Sequence, residues 1–122
     1  MDILVLEYPK CSTCRRALRW LDERGVAYTD RDIVTQNPTA EEVLTWQRAS
    51  GLPMRRFFNT SGRLYRELGV KARLDAGMMD EEAAALLATD GMLVMRPLLI
   101  VDGVPARPGF DEAAWSEALG LA

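Results

Sequence analysis

With 122 residues, 48% of them hydrophobic, and a net charge of only -3, the chain has the apolar side chains for a core and too little charge imbalance to stay unfolded. No stretch approaches the roughly 18 uninterrupted apolar residues of a membrane helix, and Met1 to Lys10 lacks the basic start, apolar run and cleavage site of a secretory signal. The expectation is a cytoplasmic monomer, one domain over residues 1–122, with no membrane contact.

In chain order, Ile3-Leu4-Val5-Leu6 is a short apolar run of strand type, closed by Tyr8-Pro9. A helix is predicted from Ser12 or Thr13. Ala17, Leu18 and Leu21 form its apolar stripe, Arg15, Arg16, Arg19 and Glu23 its outer face, and Gly25 its stop. Val26 to Ile33 reads as a second strand with Tyr28 turned inward. Asn37-Pro38 is a turn, and Thr39-Ala40-Glu41-Glu42 is a capping box opening a helix to about Ser50. The middle of the chain reads as wholly helical: around Met54–Phe58, Gly62–Leu68 with Ser61 as N-cap, Lys71–Ala76 and Asp80–Ala88. Arg96-Pro97 introduces a buried strand, Leu98-Leu99-Ile100-Val101. Asp102-Gly103 signals a hairpin turn, and Val104 to Arg107 is the predicted return strand. Asp111 caps a last helix carrying Ala114, Trp115 and Leu119.

The order strand, helix, strand, helices, strand, strand, helix calls for a parallel first pair and an antiparallel last hairpin. Without the region from about 38 to 90, what remains is a thioredoxin-like core. The predicted fold is therefore α/β: a mixed four-stranded sheet with a helical insertion between the second and third strands.

The chemistry is concentrated at Tyr8-Pro9-Lys10-Cys11-Ser12-Thr13-Cys14-Arg15. Cys11 falls where a helix begins, and unpaired amides and the positive helix end stabilise a thiolate there; Lys10 and Arg15 add positive charge. Cys14 lies within the same first turn, so the two sulfurs can meet. Cys11 is then the attacking thiolate and Cys14 the buried resolving thiol. The plain alternative is two inert core cysteines, against which the helix start beside a lysine argues. With two cysteines and no histidine, the chain is short of ligands for a structural zinc site and has no base for a Cys-His or Ser-His-Asp scheme.

That octapeptide, with Phe57-Phe58-Asn59-Thr60, Tyr65-Arg66-Glu67-Leu68-Gly69, Met92-Leu93-Val94-Met95-Arg96-Pro97 and Gly109-Phe110, resembles the arsenate reductase (ArsC)/Spx family over nearly the whole chain. The resemblance implies a thioredoxin-like fold with a helical insertion. In the glutaredoxin-linked arsenate reductases a single cysteine attacks arsenate, three arginines hold the oxyanion, and glutathione completes the reduction. The cysteine corresponds to Cys11, one arginine to Arg96, and another to Arg107. The third falls at Asn59, where an amide replaces a guanidinium and brings no charge. Thr13 joins Arg96, Arg107 and Asn59 in the oxyanion-binding set that the resemblance implies. Lys10, Arg15 and Pro97 support it, Pro97 through an expected cis bond facing the cysteines. No bound cofactor is implied; the electron donor would be glutathione with glutaredoxin, or thioredoxin.

Spx, the other branch, is a redox-controlled regulator that binds RNA polymerase rather than DNA and switches through its Cys-X-X-Cys pair. Cys14 resembles that branch, and Gly51 stands about where Spx has a glycine at the polymerase contact. Two readings follow: a thiol–disulfide oxidoreductase resembling arsenate reductase, and a Spx-like regulator.

Other features read more plainly. Seven basic residues and one acidic lie between Arg48 and Arg73, a pattern of a solvated helical face more than of an anion surface. Direct nucleic-acid binding would want aromatic platforms there, and Phe57-Phe58 reads as core. Asn59-Thr60-Ser61 matches a glycosylation sequon without a secretory signal, and the methionines and tryptophans read as packing.

Overall fold

Strand β1 (Ile3–Glu7) is apolar on both faces, and it lies inside the sheet with a layer packed on each side. The computed structural model describes residues 1–121. After β1 come α1 (Ser12–Glu23), β2 (Thr29–Asp32), α2 (Ala40–Ser50), α3 (Arg63–Glu67), α4 (Val70–Asp75), α5 (Asp80–Leu87), β3 (Leu98–Val101), β4 (Val104–Pro105) and α6 (Glu112–Leu119). Two 3₁₀ turns, Met54–Phe57 and Gly91–Leu93, flank the short helices. The strands run β2-β1-β3-β4, with β1 parallel to β2 and antiparallel to β3, and β3 antiparallel to β4. This is the expected mixed four-stranded sheet with its helical insertion, a thioredoxin-like fold.

Strand alternation sorts the core into two layers. Leu6, Leu98 and Ile100 face the insertion and pack with Trp46, Phe57, Phe58, Tyr65, Val70, Leu87 and Leu93. Val5, Leu99 and Val101 face α1 and α6, against Ala17, Leu21, Trp115 and Leu119. Burying a side chain of this size contributes roughly 1.5–3 kcal/mol, so both layers hold the sheet in place.

Local chemistry accounts for most element ends. Thr39 and Glu42 form the capping box of α2, and Asp111 Oδ1 accepts the Ala114 N–H at 3.0 Å to start α6. Asp102 and Gly103 both have positive φ, 49° and 81°, which makes the β3–β4 connection a type I′ turn.

Four expectations are corrected. β2 covers only Thr29–Asp32 rather than Val26 to Ile33: it is an edge strand, so one neighbour sets its length, and its exposed residues are polar. The return strand ends at Pro105 instead of Arg107: the Ala106 N–H still donates to Leu99 O at 2.8 Å, and the chain then leaves β3 toward the loop before α6. Gly62, and not Ser61, stands at the N-cap of α3; the Ser61 hydroxyl donates to Asn59 Oδ1 at 3.3 Å. The middle is not wholly helical either. Phe58 and Val94 form an antiparallel bridge, flanked by Asn59 N–H to Leu93 O at 2.8 Å and Met95 N–H to Phe57 O at 2.9 Å.

Candidate active site

β1 runs into a tight turn in which the Cys11 N–H donates to Tyr8 O at 3.0 Å, with Pro9 supplying its fixed φ. This turn delivers Cys11 to the N-cap of α1 in an extended conformation (φ -88°, ψ 117°). Its sulfur accepts the Cys14 backbone N–H at 3.2 Å. A thiolate there meets an orphan amide and the positive end of a three-turn helix. Cys11 is half-buried and Cys14 fully buried; both are free thiols. Burial pushes the Cys14 thiol up to about 12, and its hydrogen bond with Cys11 adds to this, against a lowering contact from the Tyr8 backbone.

The Cys11 sulfur opens into a cleft of about 520 Å³. Thr13, Asn59, Arg96 and Pro97 line it with Cys11, as do Tyr8, Thr60, Ser61, Met95, Gly109 and Phe110. The Arg96–Pro97 bond is cis, as expected. The Arg96 guanidinium is moored from behind, Nη1 donating to Met92 O at 3.1 Å and Val94 O at 2.9 Å. Among the described residues Nε has no partner, and Nη2 has only the soft Met92 Sδ at 3.6 Å, so the Nε–Nη2 edge is free for an anion. Its carbon sits 5.7 Å from the Tyr8 ring centroid. Burial lowers the Arg96 pKa, and the negative charges of Cys11, Cys14 and Tyr8 oppose the shift; a guanidinium stays charged in such a setting.

The far wall, Gly109 and Phe110, is braced from behind by α6. Trp115 Nε1 donates to Gly109 O at 3.0 Å, and the Phe110 and Trp115 rings pack edge to face with centroids 5.0 Å apart. Gly109 has φ 92°, and a Cβ there would come within 3.3 Å of Met95 Cε. Gly109-Phe110 had signalled its importance in the sequence only as part of the resemblance.

Other predicted residues stay outside the cleft. Arg107 lies on the exposed loop before α6, where it pairs with Asp111 at 3.6 Å and is not part of the cleft lining. Arg15 reaches back to Pro9 O at 3.2 Å and braces the turn rather than lining the cleft. Lys10 is exposed in that turn. Five of the seven basic residues from Arg48 to Arg73 form ion pairs, in keeping with a solvated face. Glu7, which the sequence reading passed over, is the buried charged residue of the described chain, only 5% exposed.

The sequence model of the ArsC family matches residues 6–118. The chain belongs to the ArsC family. Within it, the uncharacterized protein YusI of Bacillus subtilis is 44% identical over 117 residues, covering 96% of this chain and 98% of its own. The crystal structure of a possible arsenate reductase from Streptococcus mutans superposes with a TM-score of 0.86 at 44% identity, covering 94% of this chain and 95% of its own. The global transcriptional regulator Spx of Staphylococcus saprophyticus is 27% identical over 104 residues, 85% of this chain and 76% of Spx. The likeness to arsenate reductases and to Spx expected from the motifs is thus shown. Among the described residues no helix is long and apolar enough to cross a membrane.

Proposed function

We propose that this ArsC-family protein is a thiol–disulfide oxidoreductase of arsenate-reductase type, with Cys11 as nucleophile and Cys14 as resolving thiol. The observation that carries this is the Cys11 sulfur, held at the first turn of α1 by the Cys14 N–H at 3.2 Å and open to the cleft beneath Arg96. In the first step the Cys11 thiolate attacks a disulfide sulfur, forming a mixed disulfide and expelling the other half as a thiolate. Cys14 then attacks Cys11 Sγ, closes the intramolecular disulfide and releases the second thiol. Arg96 orients an anionic group through its free edge, while Asn59 and Thr13 offer neutral hydrogen bonds. A small thiol such as glutathione, with glutaredoxin, or else thioredoxin, returns the pair to the dithiol in a reducing cytoplasm.

The test is Cys14→Ser. This variant should accumulate mixed disulfides through Cys11 with oxidised glutathione or with thioredoxin, detected as a mass increase that dithiothreitol removes. Wild type should instead yield an intramolecular disulfide in a monomer. A Cys14→Ser protein that traps neither partner would count against the resolving role.

A second reading has its own support. Asn59 is neutral and Arg107 lies outside the cleft, which leaves Arg96 as the one guanidinium lining the cleft among the described residues, and Spx is among the relatives. On that reading the Cys11–Cys14 pair is a switch that alters binding to RNA polymerase. Polymerase captured by one redox form only, with no thiol turnover, would favour it.

A further inference from the structure

Closing the disulfide poses a proton problem at Cys14. Only a thiolate attacks sulfur efficiently, yet Cys14 is sealed from solvent, and its thiol is pushed up to about 12. Water cannot take the proton directly, so a base inside the protein is called for.

The fold places one there. Side chains of β1 alternate, and Val5 faces the layer formed by α1 and α6, so Glu7, two residues on, faces the same way. α1 covers the end of β1 with its first turn, the turn that carries Cys14. In the parallel register Glu7 lies beside Asp32, and Asp30 beside Val5, so both aspartates share that face. Protonated Glu7 can hydrogen-bond to Asp30, and the Glu7 charge adds to what raises the Cys14 pKa. Among the described residues the titratable groups that act on it or feel its charge are acids: Asp30 and Asp32 from β2, Cys14 from α1, and Tyr28, which leads into β2. From β3 come only apolar residues, Leu98 and Leu99. Arg96 acts on the two sulfurs from the cleft side. Burial, with the Asp30 hydrogen bond and the Asp30 and Asp32 charges, raises the Glu7 pKa to about 7. A buried carboxyl among like charges costs stability that an apolar residue would not. A base titrating near working pH is the one best suited to proton transfer.

We propose that Glu7 accepts the Cys14 proton when the Cys11–Cys14 disulfide closes. The proposal rests on the resolving role given to Cys14 above. With Cys11 held as Cys11–S–S–R, the Glu7 carboxylate takes the proton from Cys14 Sγ, directly or through one water. The Sγ electron pair forms the bond to Cys11 Sγ, the S–R bond breaks, and R–S⁻ leaves. The oxidising equivalent is the incoming disulfide. Glu7 ends as the carboxylic acid, and exposed Asp30, its hydrogen-bond partner, gives the proton a path to solvent.

Ellman's reagent separates the two steps, since it releases one thionitrobenzoate when Cys11 attacks and a second when Cys14 resolves. In wild type the second phase should accelerate as pH rises through about 7, where Glu7 becomes a base. Glu7→Gln should slow that phase about 100-fold and abolish the inflection. The first phase, in which Glu7 takes no part, serves as the check on folding and on Cys11. Asp30→Asn, which removes a neighbouring negative charge, should move the inflection to lower pH. A Glu7→Gln protein whose second phase keeps the wild-type rate and pH profile overturns the proposal and leaves Cys14 as resolving thiol. Release of a single thionitrobenzoate by wild type would instead overturn the resolving role, and the proposal with it.

Discussion

Replacing Asn59 with arginine tests how this cleft handles an oxyanion. Of the three positions that hold the anion in arsenate reductases by resemblance, only Arg96 presents a guanidinium here: Arg107 is paired with Asp111 at 3.6 Å outside the cleft. The backbone of Asn59 is pinned by its N–H to Leu93 O at 2.8 Å, so residue 59 keeps its place on the rim whatever its side chain. Asn59 Nδ2 would lie 2.6 Å from a Cβ at Gly62, so the bare backbone there gives the side chain of residue 59 its room. Two unit charges about 4 Å apart interact by about 4 kcal/mol at an effective dielectric near 20, and the open mouth of the cleft weakens this. One added charge-assisted contact to the developing oxyanion is therefore worth about 2–4 kcal/mol, or roughly 30- to 1000-fold in rate. Measured as arsenate-dependent glutathione oxidation with glutaredoxin, wild type should turn over slowly, Asn59→Arg should gain by that factor, and Arg96→Ala should lose what activity there is. Efficient wild-type turnover, or no gain in Asn59→Arg with the fold intact, would refute the reasoning.

Limiting iodoacetamide at neutral pH should label Cys11 well before Cys14, since Cys14 is buried with its thiol raised to about 12; peptide mapping that finds equal labelling would reverse the thiol roles. Gly91→Ala should destabilise by about 3 kcal/mol in urea unfolding, because its Cβ would lie 1.8 Å from Ile33 O, and an unchanged midpoint would mean the two segments part easily. Arg31 donates to Glu42 at 2.7 and 2.9 Å and, by these bonds first, holds its pKa down to about 2 from 4.5. A folded pKa below the unfolded one stabilises above the unfolded value, and that stability is lost as pH falls through the folded one. The advantage of wild type over Glu42→Gln, about 1 kcal/mol for a carboxylate 35% exposed, should thus vanish between about pH 4.5 and about 2. A gap that persists in acid would assign it to something other than the ion pair.

Short-range chemistry was legible in the residues. The dithiol helix start, the Thr39–Glu42 capping box, the Asp102–Gly103 turn, the Asp111 cap and the two apolar strands each involve atoms a few residues apart, and all are present as read. The order of these elements also carried the sheet topology, because crossover length and handedness leave few ways to join them. Cys11, Thr13, Asn59, Arg96 and Pro97 do meet in one cleft.

What only the tertiary structure decided lies in contacts between distant segments. The Phe58–Val94 bridge brings Asn59 to the cleft rim near Arg96, and no periodicity in either segment encodes it. Arg107 corresponds to an anion ligand by resemblance, yet its loop leaves it outside the cleft and paired with Asp111 at 3.6 Å, and where that loop lies relative to Cys11 is set by the packing of α6 on the sheet rather than by residue type. Glu7 sits at the end of an apolar strand where a polar residue ordinarily marks solvent. It is buried because α1 folds back over that strand end and β2 closes its side, and a carboxyl so enclosed takes on a pKa that its own sequence neighbours do not set.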